Sequence, residues 1–407
     1  MALGCLRFVD NRYLLYSHDG LGLGHVRRNL AVAEALTGLD PGASVLVATS
    51  ADAAERLGVP ARVDVLKLPG LRKVANGHYA ARRLPISPGE ITAMRSALLE
   101  TAVRSFRPDV LLADKHPLGV RGELLDALAT LHAAGGRAAL GLRDILDEPA
   151  TVLREWAAYR IQERIEQHYD RVLVYGDPSV LDPVEAYELP ESVAGRVRFC
   201  GYVVSRSGNG HVAGPKRRKC PRVLATAGGG EDGFRLLATF VEAAAAEAWD
   251  AIVVAGPHPT RAACDALHRL AGAAGVAFQK FVPGLSEWFD LADALVCMGG
   301  YNTLAEAVSR GTPIVCVPRV TPRAEQLLRA RAFARLGLLS VVEPERLEAD
   351  VLRVEVAAAL RLSRRCLAGQ ANALLDFHGA ARAAQHLSEL ASEAGTRQSE
   401  RRGVLGA

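Results

Sequence analysis

Short apolar runs recur along this chain, and longer stretches of helical spacing separate most of them, which is the sequence form of parallel βαβ units. In the first half, Tyr13–Ser17, Ser44–Ala48, Val63–Leu68, Val110–Ala113, Ala138–Leu142, Val172–Tyr175 and Val197–Cys200 read as strands. Helices are predicted over Val26–Leu36, Pro88–Ser105 and Ala150–His168. In the second half the strands are Arg222–Thr226, Ala251–Ala255, Val276–Lys280, Ala294–Cys297 and Ile314–Val317. Their helices begin near Glu231, Thr260, Leu285, Thr303 and Arg323, and the chain is helical from about Val351 to Leu390.

The rhythm breaks at Ser205–Pro221, where Gly, Ser, Pro and charge replace periodic apolar residues. This predicts two α/β domains, 1–204 and 222–390, joined by a linker at 205–221 and followed by a flexible polar tail at 391–407. A length of 407 residues, 49% of them apolar, suits two such domains. The run Lys216–Lys219 has no interleaved aromatic and reads as solvated linker, and a net charge of +4 gives no call for nucleic acid. Seven dispersed cysteines without a close CxxC pair suit a reducing compartment. With no secretory leader and no long apolar run, the expectation is a cytoplasmic protein with at most peripheral membrane contact. Pro69–Pro88 departs from the α/β pattern. This long connection carries Arg72, Lys73, Arg82 and Arg83, and length alone marks it as functional or mobile.

Three glycine turns follow strands. The first, His18-Asp19-Gly20-Leu21-Gly22-Leu23-Gly24-His25, opens a helix whose unpaired N–H groups and dipole favour an anion. His25 at that start can take a proton from a hydroxyl, while at least one of Arg27 and Arg28 reads as a solvated face. The second turn is Met298-Gly299-Gly300-Tyr301-Asn302-Thr303, with Asn302 or Thr303 as helix cap and Glu306 one turn inside. A diphosphate suits that helix start, and Glu306 can accept from two vicinal ribose hydroxyls. The third, Gly228-Gly229-Gly230, offers a further backbone cradle for phosphate. The first turn is not G-x-G-x-x-G and no G-x-x-x-x-G-K-[ST] occurs, which excludes the dinucleotide and P-loop patterns. Asp114, His116, Asp144 and Asp147 follow strand ends, where open α/β sheets bind ligands and where capping is the competing role. No Asp-x-Asp and no zinc-spaced Cys/His cluster occurs, so neither metal nor cofactor is expected.

The strings YSHDGLGLGHVRR, GLRDILDEP, GGGEDG and MGGYNTLAEAVSRGTPIVCVPR resemble GT-B glycosyltransferases of the MurG-like family 28, and more nearly a group of predicted bacterial glycosyltransferases. The resemblance spans about residues 12–345 and is most specific at 294–326. It implies an α/β GT-B fold, two Rossmann-like parallel-sheet domains facing across a cleft, with an acceptor on the first and a nucleotide-sugar donor, commonly UDP-linked, on the second. It implies Glu306 as the ribose carboxylate, Glu325 and Gln326 as the pair on the donor sugar, and Phe281 and Val282 as the segment against the base. His25 matches the histidine of the first glycine turn and is the foremost candidate base, with Asp19, Asp114 and Asp144 behind it. Gly22, Gly24, His116 and Asp144 fall on the acceptor side. Retaining GT-B enzymes often carry a second carboxylate eight residues before the ribose-binding one; Met298 stands there, which implies inversion. The first turn departs from the family pattern, with GLGLGH for GTGGH, and Glu-Gln replaces Gln-Gln. The G-x-G-H-x-x-R string also resembles the PseG-like nucleotide-sugar hydrolases of the same fold. A hydrolase and a non-catalytic nucleotide-sugar binder are therefore the alternatives. The acceptor stays unidentified.

Overall fold

The structure, a computed structural model, describes residues 11–17, 24–51, 58–75, 78–204, 219–229 and 232–405. The first half supplies β1 (Arg12–Tyr16), β2 (Ser44–Thr49), β3 (Val63–Lys67), a hairpin of β4 (Leu71–Ala75) and β5 (His78–Ala81), then β6 (Val110–Asp114), β7 (Arg137–Arg143), β8 (Arg171–Tyr175) and β9 (Val197–Phe199). The second supplies β10 (Arg222–Thr226), β11 (Asp250–Val254), β12 (Ala277–Gln279), β13 (Ala294–Cys297), β14 (Ile314–Cys316) and β15 (Ser340–Val341). Among the described residues, the strands of the two larger sheets all pair in parallel. The seven-stranded sheet runs β3-β2-β1-β6-β7-β8-β9 and the six-stranded sheet runs β12-β11-β10-β13-β14-β15.

Both orders reverse direction at one place, between β1 and β6 and between β10 and β13. Helices leave a parallel sheet on opposite faces at such a switch point, so a crevice opens beyond the carboxyl ends of the two strands. The sequence puts polar motifs there: Gly24 and His25 at the start of the helix after β1, Asp114 at the end of β6, Gly228 after β10 and Gly299 after β13. The strands around them are dry. All five residues of β6 and of β8 are buried.

Four local expectations change. The Pro69–Pro88 connection forms the β4–β5 hairpin, where Leu71 and Ala81 pack with Ile91 and Val120. The helix expected across Ala150–His168 is broken at Arg160, whose φ of 50° separates Pro149–Tyr159 from Ile161–His168. Gly300, without a side-chain hydrogen bond, caps the helix Tyr301–Ser309, so Asn302 and Thr303 lie in its first turn and neither caps it. The last helix, Gly379–Leu405, continues through the stretch expected as a tail from 391. Its apolar residues Ala383, Ala384, Leu387, Leu390 and Ala391 are buried in one cluster with Tyr13 and Leu15 of β1 and with Val26 and Leu30 of the helix Gly24–Leu39. Arg171 of β8 holds it there through the His386 carbonyl and Glu389, both at 2.8 Å, and Glu393 at 2.9 Å. The helix thus leaves the second sheet and completes the first. Most of the predicted linker, 205–218, lies outside the described residues.

The two sheets meet along a polar seam. Arg329, 1% exposed, forks onto Asp144 with both nitrogens at 2.7 Å and donates to the Gly299 carbonyl at 3.0 Å. Arg323 donates to Asp147 at 3.0 Å and to both oxygens of Glu155. The Tyr301 hydroxyl accepts from the backbone N–H of Val203 at 3.0 Å.

A candidate active site between two helix starts

A cavity of about 1760 Å³ lies between the sheets. Gly24, His25, Arg27, Arg28 and Arg143 line it from the first domain, and Gly228, Gly229, Phe281, Val282, Gly300, Tyr301, Asn302, Thr303, Glu306 and Gln326 from the second. The two helix starts almost touch: a Cβ added at Gly24 would stand 3.1 Å from the Asn302 side-chain nitrogen.

On the first domain, His25 Nδ1 lies 2.9 Å from Asp114, which is fully buried at the end of β6. Arg28 donates to both Asp114 oxygens, at 2.8 and 2.7 Å, and its guanidinium lies over the rings of Tyr175 and Tyr301, with centroids 4.9 and 5.5 Å away. Its charge holds the Asp114 carboxyl well below the ordinary range despite burial. The same Nδ1 lies 3.0 Å from an Arg28 nitrogen, and in the tautomer that donates from Nδ1 to ionised Asp114 the opposite ring nitrogen is the basic one. Burial lowers the His25 pKa to about 4, with the positive charges of Arg28 and Arg143 acting the same way and Asp114 opposing. The imidazole is neutral at pH 7.

On the second domain the helix starts offer backbone. The first turn of Tyr301–Ser309 has no side-chain cap, so its N–H groups and dipole face the cavity. Gly228 adopts φ 65°, the left-handed region where glycine is unstrained, and a Cβ at Gly229 would meet nothing within 4 Å. Gly299 has a different reason to be glycine, since its Cβ would stand 2.6 Å from the Gln326 carbonyl oxygen. Glu306, 5% exposed, accepts from Arg27 of the opposite domain at 3.3 Å. Phe281 is 44% exposed and lines the cavity beside Val282, an open aromatic surface.

Among the sequence candidates, His25, Gly24, Gly228, Gly229, Gly300, Asn302, Thr303, Glu306, Gln326, Phe281 and Val282 converge on one cavity, while Asp114 stands behind His25 and Gly299 packs on Gln326. Asp19, Gly22 and Gly230 lie outside the described residues. Three candidates belong elsewhere. Asp144, 0% exposed, is taken up by Arg329 and by the Tyr202 hydroxyl at 3.2 Å, so it locks the domain seam. Glu325 is paired with Arg319 at 2.8 Å and, unlike Gln326, does not line the cavity. His116 sits in the turn after β6, outside the cavity lining, and burial pushes its imidazole well below the usual range. Sequence reasoning gave no role to Arg28, which is 3% exposed and not on a solvated face, nor to Arg27, to Arg143 at the end of its strand, or to the seam arginines. The available signal was the string Arg27-Arg28 directly inside a helix start, where the dipole disfavours cations without a compensating carboxylate.

Among the described residues, no helix is long and apolar enough to cross a membrane, and no group of three or more His, Cys, Asp or Glu is placed to hold a metal ion.

No protein-family model matches the chain. The UDP-N-acetylglucosamine–N-acetylmuramyl-(pentapeptide) pyrophosphoryl-undecaprenol N-acetylglucosamine transferase of Serratia proteamaculans (strain 568) is 26% identical over 371 residues, covering 89% of this chain and 93% of that one. Among solved structures, the spinosyn forosaminyltransferase SpnP matches 94% of this chain and 99% of its own with a TM-score of 0.63 at 15% identity. The glycotransferase of kitacinnamycin gives 0.62 at 18% identity over 93% of this chain and 99% of its own. MurG of Acinetobacter baumannii gives 0.56 at 14% over 94% and 99%. With the two switch-point sheets, these matches show the GT-B fold, and the sequence is similar over most of its length to that Serratia transferase.

Proposed function

We propose that this protein is an inverting, metal-independent glycosyltransferase that moves a sugar from a UDP-linked donor to an acceptor hydroxyl or amine. The observation that carries the reading is the His25–Asp114 pair facing, across one cavity, the uncapped helix start at Gly300–Thr303. The donor diphosphate would seat on the backbone N–H groups of Gly228–Gly229 and Tyr301–Thr303, where negative charge grows as the leaving group departs. Glu306 would exchange the Arg27 guanidinium for the ribose hydroxyls, Phe281 would lie against the base, and Gln326 would contact the sugar.

The acceptor atom attacks the anomeric carbon on the face opposite the diphosphate. The new bond forms as the bond from that carbon to the diphosphate oxygen breaks, and its electron pair leaves with the phosphate. The acceptor proton passes to the His25 nitrogen opposite Nδ1, and Asp114 stabilises the imidazolium that results.

The test is release of nucleoside diphosphate from a panel of nucleotide sugars with and without a set of acceptor alcohols and amines. Acceptor-dependent release of UDP with inversion at the anomeric carbon is the expected result. Equal release without acceptor assigns the protein to the hydrolases, and donor binding without turnover assigns it to the binders.

A further inference from the structure

Arg143 is the cavity-lining arginine that the reading above leaves without work. It ends β7, lines the cavity, and has neither a hydrogen bond nor an ion pair to any described residue. Its Nε is sealed from solvent without a partner. The other arginines discussed at the cleft and seam are matched: Arg28 on Asp114, Arg27 on Glu306, Arg329 on Asp144 and Arg323 on Asp147. A cation half withdrawn from water without a directly paired carboxylate is costly. Burial and the charges of Arg329 and Arg28 favour loss of its proton, and the carboxylates of Glu325 and Asp144, neither of them paired with it, offset this only in part.

The seam says which substrate oxygen it meets. The next residue, Asp144, is forked by Arg329, and Arg329 also donates to the carbonyl of Gly299 at 3.0 Å. Arg143 is therefore pinned, through one side chain, to the glycine turn that opens Tyr301–Ser309. It also acts electrostatically on His25. It lines the same cavity as His25 and the helix start at Gly300–Tyr301.

We propose that Arg143 is an anion clamp supplied by the first domain: its guanidinium takes the leaving diphosphate oxygens of a nucleotide-bound donor, opposite the backbone N–H groups of the second domain. The planar fork suits two phosphate oxygens, and the charge that develops there is the one the unpaired cation lacks. The cleft is then complete only when both domains hold the same diphosphate. This rests on the nucleotide-sugar reading above.

The experiment compares each nucleoside diphosphate with its parent nucleoside, using UDP and uridine, dTDP and thymidine, and GDP and guanosine, titrated calorimetrically into wild type, R143Q and R143K. For the pair that binds wild type best, the preference for the diphosphate over the nucleoside falls roughly 10- to 100-fold in R143Q, the range of a charge-assisted hydrogen bond. Nucleoside affinity stays unchanged and R143K recovers part of the preference. The thermal midpoint of R143Q equals or exceeds that of wild type, because no partner is orphaned. An unchanged preference in R143Q overturns the clamp and leaves the nucleotide-sugar reading standing, including when only the acceptor KM moves. Binding of no nucleotide by wild type overturns both.

Discussion

The first domain presents side chains to the cleft where the second presents backbone. Around Gly24 the wall is dense with charge: His25, Arg28 and the buried Asp114 form one network, with Arg27 and Arg143 beside it. Around Gly300 the wall is glycine and first-turn N–H groups, with Glu306 as its one carboxylate in the first two turns. A charge network can be poised to accept a proton, whereas oriented backbone dipoles hold an anion without titrating. In the proposed reading, two similar sheets built on the same switch-point topology thus divide proton transfer from anion binding.

The largest expected effect tests the first wall. His25→Ala removes the base and lowers kcat by about 10²- to 10⁴-fold, the usual range for a positioned general base. Donor affinity stays within a factor of a few. Steady-state rates alongside donor titration check it, and near-wild-type turnover would move proton transfer to another group.

Next in size is the seam that keeps the walls opposed. Arg329→Met leaves the buried Asp144 without its counter-charge and costs about 3–5 kcal/mol of stability. Denaturant unfolding measures it. A loss below about 1 kcal/mol would show that the domains meet without this pair.

Glu306→Ala tests the second wall. Donor binding weakens by about 1.5–3 kcal/mol, the worth of a hydrogen bond to a charged group. The Arg27 partner is released by the same change, so Arg27→Gln serves as control. A donor affinity unmoved by Glu306→Ala breaks the division of labour on the binding side.

The smallest effect is on pH dependence. The folded His25 pKa of about 4 lies below the unfolded value of 6.5, so the unfolded chain binds the proton first. Stability from this group is full above about 6.5 and falls as pH drops through the window to about 4. His25→Gln flattens that part of the stability profile, measured as unfolding midpoint against pH. An unchanged slope would show that the ring is protonated in the folded state.

Much of this was legible in the chain. Apolar runs marked twelve parallel strands, two of them, Arg222–Thr226 and Ala294–Cys297, to the residue, because buried parallel strands are continuous apolar segments. The hairpin Leu71–Ala81 was hidden because β4 carries Arg72 and Lys73 and β5 is four residues long, and β15 because it is two residues long. The site motifs were visible as glycine followed by polar residues at strand ends. What a one-dimensional string withholds is pairing across long separations. Asp144 looked like a ligand group at a strand end until Arg329, 185 residues away, neutralised it. Arg28 looked solvated because Asp114, 86 residues on, is not its neighbour in sequence. The last helix gave no sign in its own composition of which sheet it would cover.

The central claim is that base and anion site sit on opposite walls, and donor titration with saturating kinetics on His25→Ala and Glu306→Ala side by side tests it most directly. The account predicts that His25→Ala lowers kcat at near-constant donor affinity and that Glu306→Ala weakens donor affinity while kcat at saturation stays close to wild type. If both variants shift the same parameter, the two walls do not divide the work and the account is wrong.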